Sequence, residues 1–339
     1  MTTIEIQGTT GRSQILTGES LSNFRKYIPV SRTIIITDNV VQNLYGHFWH
    51  DLPVVIIGQG EVNKTLETVQ LIIAKLFELD ADRNTFILGV GGGIVCDVTG
   101  FVASVFMRGV RFGFISTTLL SQVDASVGGK NGVNFNGFKN IIGVFNQPEF
   151  VICDPVVLKT LDRNEISNGL AEIAKHALLA DAVLFDFIEQ NAEAVMSLRE
   201  EVIGHLVIRS VEIKSAIVNR DEKETDERRK LNFGHTFGHA IEKIAGISHG
   251  KAVSIGMVIA ARFSKDKGYL SENDLERIVN LLTKLELPLS QPLQPDLIFR
   301  ALEKDKKRAD NAIHFVLLKS IGEAVVEELP LSIIRKIKI

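Results

Sequence analysis

Short apolar runs alternate with amphipathic segments through the first 150 residues, and this alternation predicts a parallel α/β sheet. Apolar residues at helical spacing predict a helix at about 63–79, and a segment rich in small residues predicts another at 94–105. Continuous apolar strands separated by helices indicate a sheet that is covered on both faces, with functional groups just past the carboxyl ends of the strands. The predicted strands are 33–37, 54–57, 85–90 and 112–116.

The pattern changes after residue 154, where long helical segments replace the β-branched runs. One exception is a predicted hairpin, 313–318 with 324–327, around Ile321 and Gly322. We therefore predict an α/β domain at 1–154 and a mainly helical domain at 155–339, with a ligand site in the cleft between them. The predicted helices of the second domain are 165–180, 182–195, 201–221, 229–245, 252–267 and 272–285.

Composition limits the class of protein. A hydrophobic content of 45%, a charged content of 23% and a net charge of -3 are typical of a globular protein and give no reason to expect nucleic acid or membrane as a partner. Cys96 and Cys153 are far apart, which does not favour a disulfide framework or a cysteine metal site. The N-terminus lacks a signal-peptide pattern, and no apolar run reaches the length of a membrane span. We expect a cytoplasmic enzyme.

Residues 228–239 place four polar groups at helical spacing between apolar neighbours. This pattern indicates a helix face that lines a polar cavity, and a solvated face with incidental histidines is the alternative. Gly234 and Gly238 would each cost a helix up to ~1 kcal/mol relative to Ala, so we expect close packing against the backbone there. The four polar residues are Arg228, Asn232, His235 and His239.

A glycine-rich turn at 89–93 joins a predicted strand to a predicted helix, where backbone N–H groups and the helix dipole can hold a phosphate. It matches the dinucleotide fingerprint only in part, because Ile94 stands at the sixth position, and a tight structural turn is the alternative. Asp97 follows in the first helical turn. A second such turn, 59–64, carries Glu61 and Lys64, which could reach ribose hydroxyls and a phosphate, or could simply begin a helix.

Residues 124–140 bring one carboxylate, two lysines and one amide into a glycine-rich, otherwise apolar stretch. Lysines in such surroundings favour an anionic substrate, and scattered surface lysines are the alternative. The four residues are Asp124, Lys130, Lys139 and Asn140.

Glu172 and Lys175 share a helix face at i and i+3 among apolar neighbours, which predicts an inward-facing pair rather than a surface ion pair. Glu172 together with three histidines offers enough donors for a zinc-like ion with an open position. Spacing alone nominates His235 and His239 as paired ligands, with His249 as a further donor. The other histidines are interpreted as structural or surface groups, and they are residues 47, 50, 176, 205 and 314.

Five sequence blocks together resemble the 3-dehydroquinate synthase family of sugar-phosphate cyclases. They lie in the family's order within residues 58 to 258, with weaker similarity on either side. The blocks are GVGGGIVCDVTGF, STTLLSQVDASVGGKNGVN with GFKNIIG, NGLAEIAKHALLAD, LNFGHTFGHAIE and HGKAVSIGM.

The resemblance implies a Rossmann-like first domain and an NAD- and metal-dependent lyase that is redox-neutral overall. Its substrate would be 3-deoxy-D-arabino-heptulosonate 7-phosphate and its product 3-dehydroquinate. In this reaction one ring hydroxyl is transiently oxidised by NAD, phosphate is eliminated, the ketone is reduced again, and the opened ring recloses by aldol addition. A divalent metal, zinc or cobalt, would act as Lewis acid and template. A homodimer is also implied.

The resemblance further implies roles for single residues. The metal ligands would be Glu172, His235 and His249, whereas His239 would lie beside the substrate and pass a proton. Lys306 or Lys307 would close over the site. The residues implied around the substrate and its phosphate are Lys130, Asn140, Lys175 and Arg108, the last one reaching across a dimer interface. Those implied at its carboxylate are Lys214, Arg228 and Asn232, and Glu165 completes the catalytic candidates.

Nucleotide binding is implied for residues from several parts of the first domain, and Asp124 would lie near the nicotinamide and the metal. Cys96 stands where glycine is expected and Asn131 where threonine is common, and we expect only local repacking from both. The implied NAD-binding residues are Asp38, Gln59, Gly60, Glu61, Val62, Asn63, Lys64, Gly93, Ile94, Val95, Cys96, Asp97, Thr117, Thr118, Asp124, Lys130, Lys139, Val157, Leu158, Lys159 and Thr160.

Three other functions compete with this interpretation. A cyclase that makes an inosose or valiolone ring acts on a sugar phosphate without a carboxylate, which would leave Lys214 and Arg228 without a partner. A metal-dependent polyol dehydrogenase with net NAD turnover does not need the lysine-rich anion site. A non-catalytic dinucleotide-binding module would leave the carboxylate–histidine set unexplained.

Overall fold

The protein is described by a computed structural model that covers residues 1–306 and 312–339, without the side chains of 303–306. The prediction of a closing lysine falls on Lys306 or Lys307, and both side chains lie outside the described residues. The chain divides into two compact units. The first unit consists of residues 1–161 with 214–222, and the second unit of residues 162–213 with 223–339.

Seven strands form the main sheet of the first unit, in the order β1-β2-β9-β6-β5-β3-β4. β1 and β2 form an antiparallel hairpin, and the remaining neighbours are parallel. Two further strands, β7 and β8, pair only with each other as an antiparallel hairpin. The strands are β1 (Thr2–Gly8), β2 (Gly11–Thr17), β3 (Thr33–Asp38), β4 (Val54–Ile57), β5 (Phe86–Gly91), β6 (Arg111–Ser116), β7 (Lys130–Phe135), β8 (Phe138–Phe145) and β9 (Phe150–Cys153).

The four predicted strands are confirmed as β3, β4, β5 and β6, and the predicted parallel sheet is confirmed with them. Every residue of β5 is buried, as a parallel strand covered on both faces requires. The hairpins β1–β2 and β7–β8 and the four-residue strand β9 were not predicted. Outward-facing polar residues interrupt the apolar pattern in the β1–β2 hairpin, and glycines interrupt it in the β7–β8 hairpin. Strand β9 is too short to show a periodicity.

The sheet has a topological switch between β3 and β5, because β4 lies on the other side of β3. Asp38 ends β3 and Gly91 ends β5, so both lie at the same edge of the parallel sheet. Ligands of open α/β sheets bind outside the carboxyl ends of the strands at such a point. The fold therefore brings the glycine-rich turn and Asp38 to one place.

Three α-helices connect the strands of the first unit, and 3-10 turns and one π turn complete it. The aromatic part of its core contains Trp49 against Phe24, with ring centroids 6.4 Å apart, and Phe86 stacked on Phe150 at 5.9 Å. The helices are α1 (Asn39–Tyr45), α2 (Leu66–Glu78) and α3 (Gly93–Val105). The short turns are Leu21–Lys26, Val30–Arg32, Gly46–Trp49, Glu61–Asn63, Phe106–Arg108, Ser121–Ala125 and Pro155–Thr160.

The second unit is mainly helical, as predicted, and carries the predicted hairpin, whose turn contains Gly322 at φ 86°. In the described residues, no helix combines the length and apolarity needed to cross a membrane. The helices are α4 (Arg163–Ala180), α5 (Ala182–Gln190), α6 (Ala192–Met196), α7 (Glu200–Arg220, whose last residues belong to the first unit), α8 (His235–Ala245), α9 (His249–Asp266), α10 (Glu272–Lys284), α11 (Pro295–Lys306) and α12 (Leu331–Ile334), and the strands are β10 (Ala312–Ser320) and β11 (Glu323–Pro330).

Two predicted helices are wrong in their continuity. The predicted helix 182–195 divides into α5 and α6 around Asn191. The predicted helix 229–245 is interrupted, since Glu227–Asn232 forms a 3-10 turn and α8 begins only at His235. The break falls at Gly234, whose φ of 78° is left-handed and incompatible with a continuous helix.

The predicted close packing at the glycines of α8 is confirmed. A Cβ on Gly234 would lie 2.6 Å from Met257 Cγ and 2.9 Å from the carbonyl oxygen of Val253, both on α9. A Cβ on Gly256 would lie only 1.9 Å from the carbonyl oxygen of Gly234. Gly238 is also close, with 3.2 Å to the Ala252 oxygen. The start of α8 therefore fits against α9 only because these positions lack side chains.

Glu222, just past the end of α7, fastens the end of this helix to the first unit. Its carboxylate accepts hydrogen bonds from the Thr9 N–H at 2.7 Å, the Thr9 hydroxyl at 2.6 Å, the Thr10 N–H and hydroxyl, and Gln147 Nε2 at 2.9 Å. Burial by itself raises the pKa of this carboxyl, but the hydrogen bonds outweigh burial and hold the pKa at about 2. The carboxylate is thus ionised in the folded protein throughout the ordinary pH range.

We expect Glu222→Gln to destabilise the first unit by about 2 kcal/mol, since hydrogen bonds to a charged group are lost, and to lower its melting temperature by ~4–8 °C at pH 7. The folded pKa of about 2 lies below the ordinary value of 4.5, so this stabilisation is present above pH 4.5 and is lost as the pH falls towards 2. Thermal unfolding of both proteins between pH 7 and pH 3 measures it.

The matched control is Glu78→Gln, because Glu78 forms an exposed ion pair with Lys75 on α2. A surface pair of this kind contributes ~0.5 kcal/mol or less. Equal melting temperatures for the two variants, or a difference between Glu222→Gln and the wild type that does not shrink towards pH 3, would contradict the account.

Candidate functional site

Three side chains from three helices converge in the second unit. Glu172 lies on α4, His235 is the first residue of α8, and His249 is the first residue of α9. Glu172 Oε1 is 3.2 Å from His249 Nε2 and 3.6 Å from His235 Nε2, and the three ligand atoms lie within 4.8 Å of one another. One carboxylate oxygen and two imidazole nitrogens at this spacing can hold a divalent ion and leave a position open for substrate.

The outer nitrogens of both rings have partners of their own. His235 Nδ1 lies 3.1 Å from the carbonyl oxygen of Phe233, and His249 Nδ1 lies 3.4 Å from Glu242 Oε2. A ring that donates its Nδ1–H to such an acceptor keeps Nε2 unprotonated for a metal. The donor set therefore fits a zinc-like ion in its chemistry and in the support of its ligands.

Glu172 and Lys175 are both fully buried and form an ion pair, so the predicted inward-facing pair is confirmed. Burial by itself raises the pKa of Glu172, but Lys175, His235 and His249 outweigh it, and the pKa lies well below its ordinary value. Burial lowers the pKa of His235, and the Lys175 ammonium lowers it further. Lys175 therefore favours the protonation states that a metal requires, an ionised Glu172 and a neutral His235.

His249 behaves differently from His235. Burial by itself lowers its pKa, but the Glu172 and Glu242 carboxylates outweigh burial and raise the pKa to about 9. In the metal-free protein at neutral pH the ring is therefore protonated. Metal binding at Nε2 must displace that proton, which makes the metal affinity dependent on pH.

His239 lies one turn after His235 on α8 but takes a different position. Its ring centroid is 5.1 Å from that of His235 and 6.1 Å from that of His249, and its side chain is exposed. Among the described residues, His235 clusters with His249 and Glu172 as a possible set of three metal ligands, and no such set contains His239. The i,i+4 spacing alone does not reveal this, because the choice depends on where α9 begins.

A cavity of about 430 Å³ lies beside these histidines in the second unit. Asn232 lines the cavity, and its Nδ2 donates a hydrogen bond to Glu224. The side chain of the nearby Arg228 is buried, with only 2% of its surface exposed. His314, interpreted from the sequence as a structural or surface group, also lines the cavity from β10. The lining residues are Lys223, Glu224, Arg229, Asn232, His235, Thr236, His239, Leu302 and His314.

The sequence did not point to Glu224, Arg229 or His314 as cavity residues. Glu224 and Arg229 lie in an irregular segment and a 3-10 turn, where no helical period assigns a face. His314 lies between the buried residues Ile313 and Phe315 on β10, so the strand pattern indicates only an outward-facing position. Only the packing of β10 in the unit places it beside His235 and His239.

The glycine-rich turn of the first unit has the form of an anion site. Gly92 occupies the N-cap position of α3. Because glycine has no side chain, residue 92 makes no side-chain hydrogen bond to the first backbone N–H groups of the helix. A Cβ on Gly92 would lie 2.9 Å from Thr118 Cγ2, and one on Gly93 would lie 3.0 Å from Ala125 Cβ. Thr117 donates its N–H to the Gly91 carbonyl at 2.9 Å. The turn thus packs directly against residues 117–125.

The two strand-to-helix turns of this unit are joined by an ion pair between the buried Lys64 and the partly buried Asp97. Burial raises the pKa of Asp97, and Lys64 opposes that rise. Glu61 is exposed and accepts a hydrogen bond from Asn134 Nδ2 at 2.7 Å. Asp38 caps α1 by accepting the N–H groups of residues 40 and 41 at 2.9 Å. The residues expected at a nucleotide therefore also have local structural partners.

The other residues expected at a nucleotide surround these turns. Asn63 Nδ2 donates to the Gln59 carbonyl at 2.7 Å, Gly60 has a φ of 88°, and Val62 is 83% exposed. Cys96 is buried on α3, where its thiol contacts the Gly91 carbonyl at 3.8 Å. Residues that lie nearby along the same elements are Ile94 and Val95 on α3, Thr118 after β6, and Val157, Leu158, Lys159 and Thr160 in the 3-10 turn that contacts Tyr45.

Lys214 and Asp124 form a pair within the first unit. Lys214 Nζ donates to the Asp124 carbonyl oxygen at 2.6 Å and lies 2.5 Å from Asp124 Oδ1. Arg228 and Asn232, which the resemblance groups with Lys214, belong to the second unit. Within each unit, the structure therefore places Lys214 beside Asp124 and Asn232 beside the histidines.

Four remaining predicted residues are exposed on turns and strands, and a fifth, Glu165, lies on a helix. Lys130 and Asn140 are exposed on β7 and β8, where Lys139 Nζ lies 4.0 Å from Glu61. Arg108 is exposed and has a left-handed φ of 68°. Glu165 lies in the first turn of α4, and burial together with Asp162 raises its pKa.

A parallel sheet with a glycine-rich turn at its switch point and a helical unit with a carboxylate–histidine cluster define a nucleotide- and metal-dependent class of enzyme. Family comparison agrees with this class. Residues 54–168 match the 3-dehydroquinate synthase N-terminal family, and residues 169–308 match the 3-dehydroquinate synthase C-terminal family. The chain belongs to the 3-dehydroquinate synthase family.

Individual relatives cover nearly the whole chain. A 3-dehydroquinate synthase of Thermoanaerobacter pseudethanolicus is 43% identical over 314 residues, which are 89% of this chain and 88% of the relative. Another from Vesicomyosocius okutanii is 40% identical over 328 residues, 93% of this chain and 90% of the relative.

Solved structures of related cyclases share the fold. The 2-epi-5-epi-valiolone synthase of Streptomyces hygroscopicus, with NAD+ and Zn2+ bound, is 30% identical with a TM-score of 0.86, covering 95% of this chain and 93% of that one. A 2-deoxy-scyllo-inosose synthase complexed with carbaglucose-6-phosphate, NAD+ and Co2+ is 27% identical with a TM-score of 0.86, covering 99% and 98%.

The geometry separates His235 from His239 in a direct test. We expect His235→Ala to lose the bound metal, because one of three converging ligand atoms is removed. His239→Ala should keep the metal and lose ~10²-fold or more in rate, as expected for a group that transfers a proton. Metal content by mass spectrometry and turnover under saturating substrate measure the two effects. Equal metal loss in both variants would show that the ligand assignment is wrong.

Proposed function

We propose that this chain catalyses the 3-dehydroquinate synthase reaction, in which 3-deoxy-D-arabino-heptulosonate 7-phosphate gives 3-dehydroquinate and phosphate. The observation that carries the proposal is the convergence of the buried Glu172 with His235 and His249 beside a polar cavity, in a chain of this family. Relatives 40–43% identical carry that name, and they cover most of the chain. The reaction belongs to the biosynthesis of aromatic amino acids through the shikimate pathway.

The second unit would hold the metal and the reacting part of the substrate. Glu172, His235 and His249 are the proposed ligands of zinc or cobalt, and Lys175 keeps Glu172 ionised. His239 is exposed at the cavity and would move a proton at the reacting carbon or oxygen. When bound, NAD would supply reversible hydride transfer and the metal would supply Lewis acidity.

The first unit would hold NAD at the glycine-rich turn and the switch point of its sheet. Support comes from the N-terminus of α3, where the N-cap residue Gly92 makes no side-chain capping hydrogen bond, and from Asp38 and Gly91 at adjacent strand ends. The valiolone and inosose synthases of similar fold were solved with NAD+. We assign residues 1–154 to nucleotide binding and residues 155–339 to metal and substrate binding.

Lysine, arginine and asparagine side chains would hold the two anionic groups of the substrate. Lys130, Asn140 and Arg108 are proposed at the phosphate, with Arg108 supplied by the second subunit of a homodimer. The exposure and left-handed backbone of Arg108 support a role outside its own unit's core. At the carboxylate we propose Lys214, Arg228 and Asn232, with Glu165 as a further catalytic candidate.

We propose a cytoplasmic location. Cys96 and Cys153 are both free and buried, which agrees with a reducing compartment.

A second candidate is a cyclase that acts on a sugar phosphate without a carboxylate. The TM-score of 0.86 to the valiolone and inosose synthases favours it as an alternative. Their identity of 27–30% is lower than the 40–43% of the curated relatives, which favours the dehydroquinate reaction. A polyol dehydrogenase has less support, since a probable glycerol dehydrogenase of Sinorhizobium meliloti is only 13% identical and shares the fold alone.

We expect the protein to release phosphate from the heptulosonate phosphate with only catalytic NAD. A chelator should abolish the release, because the reacting oxygens lose their Lewis acid, and zinc or cobalt should restore it. Phosphate colorimetry and NADH absorbance are followed together.

Full phosphate release by metal-free protein would refute the metal site. Release from a carboxylate-free sugar phosphate at a higher kcat/KM would favour the second candidate. Steady NADH accumulation with a simple polyol would instead support a dehydrogenase.

A further inference from the structure

The start of α9, which carries His249, is not capped by its own sequence. Ser248 occupies the N-cap position, but its side chain makes no capping hydrogen bond. Instead, Asn168 Oδ1 accepts the N–H of Gly250 at 2.9 Å. Asn168 lies on α4, one turn before Glu172, and it is buried. A side chain from the helix of one candidate ligand therefore caps the helix of another.

Gly250 allows this contact because it has no side chain. A Cβ there would lie 2.5 Å from Asn168 Cα and 3.0 Å from the carbonyl oxygen of Ser167. The first turn of α9 thus rests directly on the backbone of α4. Any change in this contact would move His249 relative to Glu172, because the ring is attached to the first residue of the helix.

The ring of His249 is held from the opposite side by Glu242. This carboxylate lies on α8, has a side-chain exposure of 12%, and places Oε2 3.4 Å from His249 Nδ1. The other nitrogen, Nε2, faces Glu172 Oε1 at 3.2 Å. Since the Glu242 acceptor takes the Nδ1–H, the lone pair of Nε2 is directed to the candidate metal position.

We propose that Asn168 and Glu242 are positioning residues of the metal site. Asn168 fixes where the His249 backbone begins, and Glu242 fixes the tautomer and orientation of its ring. This inference rests on the proposed role of Glu172, His235 and His249 as metal ligands. Loss of a partner behind a metal-binding histidine lowers metal affinity by about 10- to 100-fold.

The experiment measures the dissociation constant of Co2+ by competition with a chromophoric chelator, and the visible spectrum of the cobalt protein. Glu242→Leu and Glu242→Ala remove the acceptor and should weaken binding by about tenfold or more, with a changed spectrum. Asn168→Ala and Asn168→Leu leave no side-chain oxygen to accept the Gly250 N–H, and they should weaken binding by about tenfold. Where one variant of a pair does not fold, the other decides.

Conservative variants test the atoms involved. Glu242→Gln keeps an oxygen acceptor and Asn168→Asp keeps a capping oxygen, so both should stay within about threefold of the wild type. Matched controls are Glu327→Gln, which disturbs the contacts with Lys267 and Tyr269, and Asn191→Ala, which removes a bond to the Phe187 carbonyl. If Asn168 and Glu242 had only a structural role, their substitutions would lower the melting temperature as the control substitutions do, without changing the cobalt affinity.

His249→Ala is the reference that separates this inference from the proposed function. If His249→Ala binds Co2+ as tightly as the wild type, the ligand set itself is wrong. If His249→Ala loses the metal while folded Glu242→Leu and Asn168→Ala keep wild-type affinity and spectrum, the positioning roles are overturned and the ligand set stands. The binding measurement needs no substrate, so a failure of phosphate release leaves its result unaffected.

Discussion

The close approach of α8 and α9 is the constraint on which the second unit depends. Gly234, Gly238 and Gly256 leave so little room that one Cβ on Gly256 would overlap the Gly234 carbonyl oxygen at 1.9 Å. Because the left-handed Gly234 ends the preceding turn, α8 begins at His235 beside the helix that begins at His249. Two imidazoles at the starts of two neighbouring helices can then meet one carboxylate of α4. A helix that continued through residue 234 would carry His235 elsewhere.

Charge compensation makes this arrangement tolerable in a buried place. A fully buried carboxylate would ordinarily become protonated, since burial raises its pKa. At Glu172 the Lys175 ammonium and the two histidines reverse that effect. Burial and the same ammonium keep His235 neutral, whereas Glu172 and Glu242 favour a protonated His249. The cluster therefore has the protonation pattern of a site in which a divalent ion replaces one proton.

In the first unit, strand register, one ion pair and closely packed glycines shape the candidate nucleotide site. Its parallel sheet brings Asp38 and the glycine-rich turn to one edge because their strands are neighbours in register. The ion pair of Lys64 and Asp97 connects the two strand-to-helix turns at that edge. Glycines at 92 and 93 let the turn pack on Thr118 and Ala125, while the amides at the start of α3 receive no cap from residue 92. These features support a nucleotide-type site without a charged residue inside the turn.

Much of the fold could be read from the chain alone. The buried strands β3 to β6 have continuous apolar residues, and these strands were predicted nearly to their ends. The same holds for the uninterrupted helices α2, α3, α4, α7, α9 and α10. The shorter or interrupted elements, such as β9 and the β7–β8 hairpin, have too few residues for a period to appear. The inward pair of Glu172 and Lys175 was also accessible, because apolar neighbours surround it along one helix face.

The sequence by itself determined which residue types are present at helical spacing, and the tertiary structure decided which of them meet. Spacing makes His235 and His239 equivalent partners, but the start of α9 brings His249 to Glu172 and leaves His239 exposed. His314 and Glu224 reach the cavity through contacts between elements far apart in the chain. Local periodicity records only which side of an element a residue takes. The distance between two elements is fixed by side-chain volume, here by glycines, and that quantity appears only when the helices are packed.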